Sequence, residues 1–147
     1  MPATTMLTAK TAVHSLFTTA LAAETAVVVS WGLPDWEPDD MVVVQGATGG
    51  WSMGAMGSSR PRDERMVITA TVSVWRGGAD QRAATTRCVA LFDLLEAAVR
   101  ADPTLGGVVQ SATMTGFDLE EAPTVDNGQV TGRVCEIACR VDIRARI

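Results

Sequence analysis

The chain has 147 residues, a formal net charge of −5 and 47% hydrophobic residues. These values suit one folded domain over residues 1–147 and argue against disorder. The acidic balance opposes tight generic binding to DNA or anionic membranes, which needs a concentrated basic surface. No apolar run approaches the roughly twenty residues that cross a bilayer, and residues 12–21 are too polar for a secretory core. We expect a protein made and used without export.

The pattern of apolar residues predicts two helices and five strands. In chain order these are a helix at 6–23, strands at 27–31, 41–45 and 66–75, a helix at 81–101, and strands at 108–117 and 131–147. Asp80 is the expected cap of the second helix, and Asn127-Gly128 favours a tight hairpin. The predicted class is α+β, a single mainly antiparallel sheet with two helices packed on one face, in the order α-β-β-(long loop)-β-α-β-β.

Residues 46–65 are predicted to form a long loop. Loops of more than about fifteen residues are uncommon in compact domains unless they are functional or disordered. This one carries Trp51, Met53 and Met56, residue types that anchor protein interfaces. The loop is thus a candidate partner surface, or alternatively Trp51 folds back to cover the core.

The final predicted strand, 131–147, alternates apolar and charged residues to the last position. At about 3.3 Å per residue it spans roughly 55 Å, so either it bends or its end leaves the domain and pairs with something else. Its polar side carries Arg140, Arg144 and Arg146. These arginines indicate either an edge strand protected by charge or a ladder that pairs with carboxylates of a neighbouring subunit.

The sequence offers few groups for catalysis or metal binding. It has one histidine, His14, no tyrosine and no nucleophile-elbow motif. Residues 46–50 resemble a phosphate loop but lack the Gly-Lys-Ser/Thr that would follow. We therefore expect no enzyme activity, no metal site and no cofactor. The three cysteines are expected to be small buried hydrophobes; they are Cys88, Cys135 and Cys139.

Two acidic segments are interpreted as solvated and structural. The carboxylates between Asp35 and Asp40 have the wrong spacing for a calcium loop and indicate a solvated turn. Those between Asp118 and Asp126 indicate a polar loop.

Three segments, together with the element order, carry a resemblance. They are the charged run Arg62-Asp63-Glu64-Arg65, the connection Asp102-Pro103-Thr104-Leu105-Gly106-Gly107, and the terminal Ile143-Arg144-Ala145-Arg146-Ile147. The chain resembles the tail terminator proteins of long-tailed, siphovirus-type bacteriophages. The resemblance implies a homo-hexameric ring at the head-proximal end of the virion tail, assembled from subunits made in the host cytoplasm. Such a ring ends polymerisation of the tail tube and gives the neck and head-completion proteins a joining surface.

The resemblance also implies that DNA passes through the ring without sequence-specific binding, and that no membrane is involved. It assigns no residue of this chain to an interface. The candidate subunit or partner contacts come from the residues themselves: Trp51, Met53, Met56, Arg140, Arg144 and Arg146.

Two other functions stay open. One is a different neck or head-completion protein, and the other is a small pocket enzyme that depends on Asp118. If the last strand pairs with a neighbour, removal of residues 142–147 is expected to leave the helices folded and abolish oligomerisation. If the loop is an interface, Trp51→Ala is expected to weaken partner binding more than stability.

Overall fold

A computed structural model describes residues 4–53 and 62–146. Its elements, in chain order, are α1 (Met6–Ala20), β1 (Val27–Trp31), β2 (Asp40–Met53), β3 (Arg62–Gly77), α2 (Gln81–Ala101), β4 (Ser111–Asp126) and β5 (Gln129–Arg146). The predicted α+β class and the order of helices and strands are confirmed. Neither helix is long and apolar enough to cross a membrane in the part of the chain described.

The five strands form one sheet in the order β1-β2-β3-β5-β4. The prediction of a mainly antiparallel sheet is confirmed, because β2–β3, β3–β5 and β4–β5 all pair antiparallel. The sheet is nevertheless mixed, since β1 and β2 pair in parallel. Residues 32–39 return the chain along the length of β1 and make this parallel pair possible.

Both helices pack on one side of the sheet, here called the helix face; the opposite side is called the open face. The apolar side chains of β3 and β5 that alternate onto the helix face are fully or almost fully buried. They are Met66, Ile68, Ala70, Val72, Val74, Cys135, Ile137, Cys139, Val141 and Ile143. Phe17 of α1 and Leu91 and Leu95 of α2 complete the same core. Their burial supplies most of the stabilisation of the fold.

All three cysteines are free and buried, as predicted from the sequence. Burial raises the pKa of the Cys139 thiol to about 11. The thiol of Cys88 donates to the backbone oxygens of Val72 and Cys135. Burial also raises the pKa of the Cys88 thiol, so Cys88 and Cys139 are protonated packing groups at neutral pH.

The last strand lies inside the sheet, which overturns both sequence interpretations of it as an edge or a departing end. β5 pairs with β3 from Gly132 to Arg146 and with β4 along its other side. Its length is accommodated because β3 and β4 are 16 residues each. Ile143 is fully buried, so removal of residues 142–147 deletes part of the core, and the helices are not expected to stay folded without it.

The prediction of a loop over 46–65 is wrong at both ends. Residues 47–53 continue β2 after a bulge, and 62–65 begin β3. Gly49 fits because a Cβ there would clash with the backbone oxygen of Arg65. Glycines and small polar residues hide the period-two pattern in this stretch. Residues 54–61, with the predicted contact Met56, lie outside the described residues.

The prediction of a polar loop at 118–126 is also wrong, because β4 extends to Asp126. Exposed carboxylates occupy a strand here, and the hairpin after it confirms the predicted turn. Asn127 and Gly128 have φ of 51° and 77°, the left-handed pair that a tight two-residue hairpin requires. The cap predicted for α2 is confirmed as well, since Asp80 accepts a hydrogen bond from the backbone N–H of Ala83 at 3.0 Å.

Asp40 is the exception to the solvated acidic turn. It is 5% exposed, on the helix face at the start of β2. Arg87 of α2 donates to it at 3.0 Å and Arg76 of β3 at 3.1 Å, and Arg87 also donates to Glu24 at 2.9 Å. This cluster ties the sheet to α2 and to the connection between α1 and β1.

Candidate functional site

The sheet brings part of the predicted contact set together at one end. Across β2, β3 and β5, Trp51 lies beside Glu64 and Ala145 in one row, and the adjacent rows contain Arg144 and Arg146. This end, formed by residues 50–52, 62–65 and 144–146, is called the basic end. It holds four arginines and two carboxylates. Met53 lies in the next row of β2, paired with Arg62.

Trp51 points to the helix-face side of the basic end and is 53% exposed. The guanidinium of Arg62 lies 5.5 Å from the centre of its ring, within the range of a cation–π contact. A side chain so exposed covers the core only in part. An exposed, oriented indole is a suitable anchor for a partner surface.

Glu64 fixes the start of α1 to the basic end. It is 3% exposed and accepts hydrogen bonds from the backbone N–H of Thr5 at 2.8 Å and from its hydroxyl. Burial would raise the pKa of Glu64, but hydrogen bonds from Thr4, Thr5 and Trp51 outweigh it and lower the pKa. This role of Glu64 was not predicted from the sequence, although the residue occupies an inward position in the alternation of β3.

Two of the three predicted ladder arginines already have partners in their own chain. Arg146 donates to Asp63 at 2.9 Å, and this bond lowers the pKa of Asp63. Arg140 donates to Asp118 at 2.8 Å in the middle of the open face. Asp118, the carboxylate considered for an enzyme, is thus an exposed ion-pair partner.

Arg144 is arranged differently, because it lies directly opposite Arg65 of β3. Both side chains are exposed on the open face, and neither has a carboxylate partner within salt-bridge distance among the described residues. Like charges directly opposite one another destabilise a sheet. Among the described residues, no salt bridge therefore offsets the positive charge of Arg65 and Arg144 at the basic end.

The middle of the open face carries acidic side chains. Glu120 of β4 lies directly opposite Glu136 of β5, and both are exposed. Asp118 is next to them, and the three line a shallow concavity of about 510 Å³. This group, Asp118, Glu120 and Glu136, is called the acidic group. The sheet thus carries a second like-charged pair, of opposite sign to the first.

In the part of the chain described, the two outer edges of the sheet differ, because β4 forms one and β1 followed by the end of β2 forms the other. β4 pairs only with β5, which leaves its outer edge without a strand. β1 stops opposite Val44, so residues 47–53 of β2, here called the β2 arm, pair only with β3. The β4 edge also exposes Phe117, 60% accessible, and Val125, 60% accessible. Open edges offer backbone groups and side chains to another chain.

The described residues contain no cluster of His, Cys, Asp and Glu arranged to hold a metal ion. His14 of α1 is half-buried and contacts the ring of Trp31 of β1 edge-on, at 5.9 Å between centroids.

Comparison with protein-family models gave no match, and comparison with curated proteins gave none. Among solved structures, one that aligns is from the virion of a native gene transfer agent particle. The alignment covers 92% of this chain and 94% of that chain, with 10% identical residues and a TM-score of 0.37. A likeness at this level carries no argument about function.

Proposed function

We propose that this chain is a structural virion protein of a long-tailed bacteriophage, and that it forms a ring capping the tail tube. The ring ends polymerisation of the tube at its head-proximal end and gives the neck and head-completion proteins their joining surface. The subunits are made in the host cytoplasm and act without enzyme activity or cofactor. The sequence resemblance to tail terminators motivates the proposal.

The observation that carries it is the pair of unlike open edges on opposite sides of one sheet. A surface that binds copies of itself through one identical patch gives a closed dimer, whereas two different patches give a head-to-tail series. Such a series closes into a ring when the rotation between neighbours allows it. The β2 arm and the β4 edge are two such patches.

The test uses the purified chain and the tail-tube protein of the same virion. Tube protein is polymerised with and without the chain, and the lengths and ends of the tubes are recorded by electron microscopy. We expect shorter tubes, each with a ring at one end, and a ring mass near six copies of the 15.5 kDa chain.

Tubes of unchanged length, with no density at their ends, would contradict the proposal. Binding to the portal or neck protein in place of the tube would favour the other candidate, a neck or head-completion protein. A chain bearing Asp93→Arg on the exposed side of α2 is the matched control for non-specific charge effects.

A further inference from the structure

The β2 arm gives direct access to Arg65 and Arg144, which have no salt-bridge partner among the described residues. Gly50 is the neighbour of Arg65 on the outer strand, and Arg144 lies on the far side of Arg65. A Cβ at Gly50 would have nothing within 4 Å. Because Gly50 has no side chain and no strand covers the arm, no described residue obstructs an acidic group that approaches Arg65 from this edge.

The β4 edge carries the opposite charge on the same face. Glu120 is exposed and lies on the strand that borders the open edge. It is directly opposite Glu136, which has the same charge. Two β4 edges brought together would place carboxylates against carboxylates, which disfavours a symmetric β4-to-β4 dimer. A basic strand edge is the complementary partner.

We infer that a second copy of this chain places its β4 edge beside the β2 arm of the first, with Glu120 reaching over Gly50 to Arg65 and Arg144. Each contact relieves one like-charged pair in each copy. Every copy keeps one free edge of each kind, so the contact is head-to-tail and repeats. The inference deepens the proposed ring, and only the closure of the series rests on that proposal.

The test is self-association of the purified chain, without tube protein, measured by light scattering over a concentration series. Two single variants are compared, Glu120→Arg and Arg65→Glu. Each reverses the sign of the charge at one of the two edges. Each is expected to raise the dissociation constant at least about tenfold, since like charges would then face each other across the contact.

An equimolar mixture of the two variants should associate again. The β4 edge of Glu120→Arg is then positive and meets the negative arm of Arg65→Glu, while the two unaltered edges complement each other. Asp93→Arg and Arg82→Glu, the same charge changes on exposed positions of α2, are the matched controls and should associate as the natural chain does.

A second variant tests the geometry without changing charge. Gly50→Thr adds a side chain in open space, so the fold should tolerate it, while the approach to Arg65 is blocked and the dissociation constant rises. Gly46→Thr, also in open space but in the bulge before the arm, is its control. Melting temperatures close to that of the natural chain exclude unfolding as the cause.

A natural chain that stays monomeric up to about 1 mM would overturn the inference, and so would a mixture that fails to restore association. The failure of the proposed function is distinguishable from this. If the mixture associates again but the natural chain does not change tube length, the proposed contact is correct and the proposed function is wrong. If Glu120→Arg caps tubes as well as the natural chain does, the proposed function is correct and the proposed contact is wrong.

Discussion

Asp40 is the residue whose environment differs most from that of its neighbours in sequence. Asp35, Glu37 and Asp39 precede it in an exposed turn, whereas its own carboxylate is buried between Arg76 and Arg87. Burial would raise the pKa of Asp40, but the hydrogen bonds from both arginines outweigh it and hold the pKa below its ordinary value of 3.8. The charged form is thus the one that the fold stabilises.

Asp40→Asn is expected to lower the free energy of unfolding by roughly 2–3 kcal/mol at neutral pH. This is near the low end of the cost of breaking a buried pair, because both arginines are partly exposed. A folded-state pKa below the unfolded one gives stability that is present above about pH 4 and is lost as pH falls through the folded pKa.

Urea unfolding at a series of pH values checks this prediction. The natural chain should lose more stability on acidification than Asp40→Asn, which has no carboxyl to protonate there. Asp39→Asn, one residue away in the exposed turn, is the control. Equal acid dependence of Asp40→Asn and the natural chain would show that the ion pairs contribute little.

At Trp51 the contribution to stability can be separated from the contribution to partner binding. Since the side chain is 53% exposed, Trp51→Ala should lower the free energy of unfolding by only about 1 kcal/mol. Loss of an interface anchor, in contrast, should weaken capping of tail tubes at least tenfold, about 1.4 kcal/mol or more. Trp51→Phe keeps the aromatic face and should retain most of the capping. A large fall in melting temperature with unchanged capping would instead assign Trp51 to the core.

At the scale of the element, neighbouring residues of β5 lie on opposite faces of the sheet, one buried and one exposed. Ile143 is fully buried against the helices, and Arg144 beside it is exposed on the open face. Ile143→Ala should cost about 2–5 kcal/mol because it leaves a cavity in the core, whereas Arg144→Ala should change the free energy of unfolding by less than about 0.5 kcal/mol. Denaturant unfolding of both variants measures the contrast. Similar losses for the two would mean that the strand end is not packed as described.

How much of the sheet was predictable also differs from element to element. The alternation from Cys135 to Ile143 is readable because one face is buried, and it identifies the helix-face residues correctly. The same pattern does not say which strands flank β5, so its place inside the sheet was missed. The β2 arm was missed because three glycines from Gly46 to Gly50 and the exposure of both faces leave no period of two.

The candidate site was predictable in the same partial way. Residue type alone pointed to Trp51 and the arginines of β5, and the register then brought Trp51, Arg144 and Arg146 to one end. Arg65 and Glu120 were missed as contacts, because their significance depends on the like charges opposite them. That relation exists only once the pairing of β3, β4 and β5 is known.

At the scale of the whole molecule, the two like-charged pairs of the open face lie well apart along the sheet. From Arg144 to Glu136 along β5 the distance is about 26 Å at about 3.3 Å per residue. The screening length is about 8 Å at physiological salt, so the two pairs do not neutralise each other within one subunit. A neighbouring copy in contact is close enough to do so.

Salt therefore provides the last prediction. An increase in ionic strength from about 0.1 M to about 1 M shortens the screening length from about 10 Å to about 3 Å and should weaken self-association at least tenfold. Sedimentation or light scattering at both concentrations measures it, and Gly50→Thr should associate weakly at either. Association that strengthens with salt would mean that apolar groups such as Phe117 and Val125 on the β4 edge hold the copies together. In that case the charged pairs would select the partner edge without supplying its affinity.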